Sequence, residues 1–405
     1  MPKKLLFISA TNLTVNPRIL KELKYAVSQN YNVDFIGFNS GNWSDKIDEK
    51  IIKNIEANFN YISTTRKPFF KWFIGSVTER LYKKLYLLRK KNLKINAYAH
   101  SKRTLLLNNY LQKNYKKYDL IIAHTLPTLY PAYKFANRTN TKFTFDIEDY
   151  HPGEIVPTDT ENEPARRIFL MKNILPEASF ITYASPLIGK YSLKLLNNYP
   201  ENKHNLINNC FSQTEFKFAE NNSDKIKFVW FSQNISPGRG LELVIPALEK
   251  FKNKIELHLI GNLYADFNDN FLSKYSDFIK FHKPLSQKEL NLKLAEFDIG
   301  LAVEISAVDL NKKIALSNKI FAYTQSGLYV LATDTPAQIN FIQEHKNIGL
   351  ISEQNIESFA NSIEKIINNI SQIRKNKKSR FNYAQKLSWE KESEKILEIW
   401  NEILK

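Results

Sequence analysis

The sequence predicts an α/β protein made of two doubly wound parallel-sheet domains that face each other across a cleft. Three observations carry that expectation. Short apolar runs such as Leu5-Leu6-Phe7-Ile8 show no inside–outside alternation, as strands buried on both faces do. Each run is followed by a helical stretch and then by another run, the order that builds a parallel sheet covered by helices. The pattern lapses once, in "NCFSQTEFKFAENNSD" from Asn209 to Asp224, and then restarts, which divides the 405 residues into two halves of ordinary domain size.

In order, Lys4–Ala10 is the first expected strand, and the Thr11–Asn16 loop leads to a helix from Pro17 to about Ser28, proline being favoured in a first helical turn. Val33–Phe38 is the next strand. A like unit recurs at Leu120–Ala123, the helix Leu126–Arg138 and Phe143–Ile147; Phe180–Ala184 and a helix from Pro186 close the first half. The second half reads as strand Phe228–Phe231, helix Leu241–Phe251, strand Ile255–Ile260, helix Ser286–Phe297 and strand Ile299–Val303. A helix then starts at Ser317, stops at Gly327 and feeds Leu328–Thr333, and the helices Asn355–Asn369 and Trp389–Leu404 finish the chain. The expected limits are 1–208 for the first domain, 209–225 for a linker, 226–388 for the second domain and 389–405 for a C-terminal helix packing back toward the first.

The formal charge of +17 is unevenly placed. From Arg66 to Arg103 there are twelve Lys or Arg against the single acid Glu79, interleaved with Phe69, Phe70, Trp72, Phe73, Tyr82 and Tyr86. Dense positive charge seeks an anionic partner. Aromatic and apolar anchors beside it suit an anionic membrane surface; nucleic acid is the weaker alternative and a solvated helical face the plain one. Single Cys210 excludes an intramolecular disulfide and fits a reducing compartment. No signal-peptide core and no apolar run near the ~20 residues of a membrane span is present, so a cytoplasmic protein is expected, peripheral on the inner membrane face at most.

In doubly wound sheets ligands bind beyond the carboxyl ends of the strands. Two strand ends in the second half place a cation near a helix start: Arg239, in "SQNISPGRGLE" from Ser232, and Lys319, which follows Ser317 and Asn318. Helix starts present unpaired N–H groups that bind phosphate, and a basic side chain strengthens them; two such starts suit a diphosphate. In the first half, "FDIEDYHPGE" sets Asp146, Glu148, Asp149, His151 and Glu154 around one strand end, which is costly unless the groups are solvated or used for chemistry. His124 ends its own strand, and Thr11 and Asn12 follow the first. The first loop lacks Gly-x-Gly-x-x-Gly, arguing against NAD, and the seven His and one Cys show no ligand spacing, so neither cofactor nor metal is expected.

The segments "SPGRGLELVIPALEKF", "IELHLIGN", "SQKELNLKLAEFDIGLAV", "SNKIFAYTQSGLYVLATDTPAQ" and "SWEKESEKILEIWNEIL" resemble the nucleotide-sugar-binding half of glycosyltransferases with two facing Rossmann-like domains (the GT-B fold). The likeness is greatest to glycosyltransferase family 4 and its relatives in bacterial surface-polysaccharide assembly. "NPRILKELKYAVSQNYNVDFIGF", "YDLIIAHTLPTLYPAYKFA" and "FDIEDYHPGE" are similar to its acceptor-side domain. The resemblance implies a metal-independent hexosyltransferase, of retaining type, that moves a sugar from a nucleotide diphosphate to a glycan or polyprenyl-linked hydroxyl.

It further implies that Arg239 contacts the donor diphosphate, that Lys319, Asn318 and the Ser317 helix start lie beside diphosphate and ribose, and that main-chain groups around His282–Leu285 cradle the base. Glu304 would accept bonds from donor hydroxyls. Asp149 leads as a general base near the acceptor, with Glu148 and His151 behind it, and Thr11, Asn12 and His124 form the sugar rim. Ser232-Gln233 stands where the family has Gly-Arg, and Ala315 and Ala322 stand where it has two acids. Two rival readings are a nucleotide-sugar epimerase on the same plan and a non-catalytic scaffold of a polysaccharide-assembly complex.

Overall fold

A computed structural model describes residues 2–65, 69–114, 116–305 and 309–405. Arg66, where the basic segment begins, lies outside them, as do the side chains of Phe69, Phe70 and Trp72. The chain forms two compact units, Met1–Ile207 with Ser393–Lys405, and Asn208–Glu392.

Unit 1 holds a seven-stranded sheet. Its strands are β1 (Lys4–Ser9), β2 (Asn32–Asn39), β3 (Asn58–Ser63), β4 (Leu120–His124), β5 (Lys142–Ile147), β6 (Phe180–Tyr183) and β7 (His204–Leu206), in the order β3-β2-β1-β4-β5-β6-β7 and all parallel. The central strands β1 and β4 are buried along their length, as uninterrupted apolar runs require. Helix Pro17–Ser28 returns the chain between β1 and β2, capped by Asn16, whose side chain accepts from the Ile19 amide.

Unit 2 holds a six-stranded parallel sheet of order β10-β9-β8-β11-β12-β13. These strands are β8 (Ile226–Ile235), β9 (Ile255–Leu263), β10 (Ile279–His282), β11 (Ile299–Ala302), β12 (Tyr329–Thr333) and β13 (Gly349–Ser352). Two apolar cores take alternate residues of the same strands: Phe228 and Trp230 face one, Val229 the other. That is what helices on both faces of a sheet demand. Helix Asn318–Gln325 lies close on β11 because Gly300 has no side chain; a Cβ there would fall 2.2 Å from the Tyr323 ring.

The segment 209–225 joins unit 2 rather than hanging free. Cys210 is fully buried, and the Phe211 amide and carbonyl both bond the Gln325 side chain. The C-terminal helix Trp389–Leu404 ends in unit 1, where Trp400 packs edge-on to Phe7 at 6.0 Å and Lys142 donates to the Ile403 carbonyl at 2.6 Å. Four strands absent from the sequence expectation, β3, β7, β10 and β13, include all four sheet edges. These edge strands are only partly buried, so they lack the continuous apolar run that marks a central strand.

Candidate active site

In unit 1 four strand ends lie in a row, with Ser9 paired in register to His124, His124 to Asp146 and Asp146 to Thr182. Residues in register on parallel strands point to the same side, which gathers polar groups at one edge. Helix Pro17–Ser28 then turns Arg18 and Glu22, one turn apart, toward them on its buried face. Arg18 grips Asp146 with two bonds, Nε to Oδ2 at 2.6 Å and Nη2 to Oδ1 at 2.7 Å, and its Nη1 donates to the Ile207 carbonyl at 2.6 Å. Thr182 donates its hydroxyl to the same carboxylate.

His124 is fully buried among three carboxylates: Nε2 lies 3.3 Å from Glu22, and Nδ1 lies 3.0 Å from Glu148 Oε1 and 3.5 Å from Asp146. Burial opposes a charge on the ring, but Glu22, Glu148 and Asp146 outweigh it and push the pKa up to about 10. The imidazole is therefore a buried cation near neutral pH. For Asp146 burial likewise favours the neutral acid, yet Arg18 and His124 prevail and hold its pKa below the ordinary carboxylate value. Glu22, His124 and Asp146 have ligand atoms within 4.8 Å of one another. Asp146 in that set is already engaged by the Arg18 guanidinium.

Glu148 is the carboxylate of this network that reaches solvent, with its side chain 21% exposed. Asn16 donates to its Oε1 at 2.6 Å, the same oxygen that meets His124, and Oε2 has no partner among the described residues. Asp149 is half-buried in the following turn. His151 turns elsewhere, pairing through Nδ1 with Glu154 at 3.1 Å while Arg167 bonds both the His151 carbonyl and Glu154. Against burial, Glu154 and Asp149 raise the His151 pKa. Thr11 bonds the Ser9 hydroxyl, and the Asn12 side chain is taken up by Ser44, Asp45 and the Val15 amide, so it fastens a loop. Sequence reasoning missed Arg18, Glu22 and Asn16 as members of this network. The signal was present: two charged residues share the apolar face of an amphipathic helix.

In unit 2 the Lys319 ammonium meets Glu304 Oε1 at 2.9 Å and lies 5.7 Å from the Trp230 ring centre. Glu304 is placed just past β11 by Thr333, whose hydroxyl receives its amide at 3.0 Å and lies 2.9 Å from its carbonyl. Ser317 is the N-cap residue of helix Asn318–Gln325, yet its buried hydroxyl bonds nothing among the described residues. Asn318 accepts from Asn209 at 2.8 Å. Ala322 is fully buried in the core.

Arg239 is exposed, its Nε 3.4 Å from the Ser236 hydroxyl, between Gly238 and Gly240 at φ 75° and 84°. Those left-handed angles favour glycine and make Gly240 the N-cap of helix Leu241–Glu249. A Cβ on Gly240 would sit 3.1 Å from Val303, so the Arg239 turn closes directly over the residue before Glu304. Ser232 and Gln233 fall in an irregularity of β8, where the Gln233 carbonyl accepts from Asn262 at 2.9 Å. His282 stacks on His258, with Nε2 2.9 Å from its Nδ1, and burial lowers the pKa of both, His258 to about 4. Leu285 packs partly buried against the core.

No family model and no curated protein matches the chain. Solved structures do match along its whole length. A glycosyltransferase from Rickettsia africae is 17% identical with a TM-score of 0.69, over 100% of this chain and 99% of that one. Anabaena HepE in complex with UDP-glucose is 14% identical with a TM-score of 0.67, over 99% and 100%. A Staphylococcus aureus TarM variant, in complex with Fondaparinux, alpha-GlcNAc-glycerol and UDP, is 14% identical with a TM-score of 0.66, over 99% of each. These likenesses show the two-domain Rossmann-like GT-B fold.

Proposed function

We propose that the protein is a glycosyltransferase that moves a hexose from a nucleotide-diphosphate donor to a hydroxyl of a glycan or lipid-linked acceptor. One observation carries this reading: a lysine held over an aromatic ring at a helix start, with a glycine-bounded arginine turn packed on the neighbouring strand end. Such a place offers a diphosphate two cations and free N–H groups. Support also comes from the fold, since HepE was solved with UDP-glucose and the TarM variant with UDP.

In the proposed reaction the acceptor oxygen bonds the anomeric carbon, the bond from that carbon to the diphosphate oxygen breaks, and the diphosphate leaves with the electron pair. Arg239 and Lys319 neutralise the departing charge. The transfer is of retaining type, the acceptor proton passing to the leaving diphosphate, and Glu148 Oε2 orients the acceptor hydroxyl. Asp149 stands beside it as the base of an inverting course. We place the reaction in surface-polysaccharide synthesis at an anionic membrane face, which the basic segment to Arg103 would meet at about 1 kcal/mol per cation.

Calorimetry with UDP tests the donor site. Arg239→Ala and Lys319→Ala should each weaken binding 10-fold or more, as loss of a charge-assisted bond of about 1.5–3 kcal/mol requires. Unchanged affinity in both variants would refute the site. Donor turnover without any acceptor would instead favour an epimerase, and no UDP binding by the unaltered protein a scaffold.

A further inference from the structure

We infer that unit 1 carries a seat for the hydrocarbon chain of an anionic lipid, in the cavity between helices Phe69–Leu88 and Lys102–Lys113. Its choice of lipid rests on the membrane reading above; the cavity does not. The cavity holds about 430 Å³, lined by Ile62 at the end of β3, by Ile74 and Gly75, and by Leu105, Leu106 and Tyr110. That volume lies within the usual range of a small-ligand pocket. The apolar side chains form most of its wall, and its polar groups gather at one side: Asn109 and Lys113, with the Tyr110 hydroxyl spent on Asn60 at 3.1 Å and the Asn114 amide on the Tyr110 carbonyl at 3.0 Å.

The cavity opens onto an apolar surface. Ile74 lines it and is also 59% exposed, and Val77, Leu81 and Leu88 continue from it along one helical face, all exposed. An exposed apolar stripe of this kind marks an interaction surface. Charge selects the occupant. Lys84, Arg89, Lys90, Lys91 and Lys94 are exposed around the end of the stripe and Lys113 at the cavity, whereas the acid of the stretch, Glu79, is bound to Lys83. An anionic headgroup is complementary to that collar. A second copy of this chain, itself at +17, is not. Nucleic acid would need a series of stacking faces, whereas Tyr110 is the one aromatic among the described residues of the lining.

Gly75 supplies the test. Among the described residues, a Cβ added there would meet the Lys102 Cβ at 3.8 Å and a Leu106 methyl at 3.9 Å, ordinary contacts, so a side chain can start there and extend into the cavity that Gly75 lines. Leucine is also the better helix former. With the full chain, calorimetry against dihexanoyl phosphatidylglycerol below its micelle concentration should show binding, and glycerol 3-phosphate, the headgroup alone, should show none. Gly75→Leu should weaken the lipid at least 10-fold with the melting midpoint not lowered; Leu106→Trp fills the same space if the first variant folds poorly. Equal lipid binding by a folded filled variant, or equal binding of glycerol 3-phosphate, would overturn the seat. The membrane reading fails separately, if vesicles of phosphatidylcholine and phosphatidylglycerol bind without salt sensitivity while the filled variant still loses the short-chain lipid.

Discussion

The two sheets present charge at their strand ends in opposite ways. In unit 1 Arg18, His124 and Asp146 are buried and interlocked, and one carboxylate, Glu148, emerges from the network. In unit 2 Arg239 is exposed with one long hydrogen bond, and Lys319 holds a single partly exposed carboxylate. A buried network costs desolvation and is kept only if every member is matched, so it fixes geometry. A pair that reaches solvent is cheaper to open than one buried throughout. Under the proposed function, the rigid network would position an acceptor hydroxyl and the looser pair would yield to a diphosphate.

Arg18→Met breaks the comparison most directly. It leaves Asp146 buried beside Thr182 without its bidentate partner, and losing one side of a buried pair costs about 3–5 kcal/mol. Urea denaturation should register that loss, whereas Arg239→Ala should leave the unfolding midpoint where it was. A similar shift from both substitutions would mean that the two regions are not differently built.

A smaller effect follows from pH. The folded His124 pKa of about 10 exceeds the ordinary value near 6.5, so the charged ring contributes stability that is fully present below about 6.5 and is lost as pH rises toward 10. Unfolding measured from pH 6 to 10 should show the protein losing stability relative to His124→Gln across that window. A constant difference between the two would show that folding does not raise the pKa of the ring.

What the sequence made legible divides along the same lines as burial. Central strands such as Leu120–His124 declare themselves by continuous apolar runs, and the strand–helix order gave the two-sheet plan. Edge strands such as His204–Leu206, three half-buried residues, carry no such signal. Lys319, Asn318 and Glu304 were legible as strand-end residues because local order places them, with Gly327 ending the helix at φ 74°. The unit 1 network was not, because Arg18 meets Asp146 across 128 residues and only the sheet order makes them neighbours. Likewise Asn12 reads as a rim residue from its position, and only the packing of helix Trp43–Ile52 against its loop shows its amide bound to Ser44 and Asp45.

Glu304→Gln sharpens the unit 2 side of the comparison. With side chains 13% and 26% exposed, Lys319 and Glu304 form a pair whose opening costs little, on the order of 1 kcal/mol. In the proposed reaction a diphosphate arriving at Lys319 displaces this carboxylate, which makes Glu304 an internal competitor for the proposed donor. Glutamine keeps the shape and removes the competing charge, and calorimetry with UDP should show binding tighter by about three- to tenfold. If the displaced carboxylate then accepts a hydroxyl of the donor sugar, the gain for UDP-glucose will be smaller than for UDP, and the preference for the intact donor over the leaving group will fall. Unchanged UDP affinity would show that Glu304 does not restrain Lys319. A gain equal for both ligands would keep the restraint and remove the sugar contact.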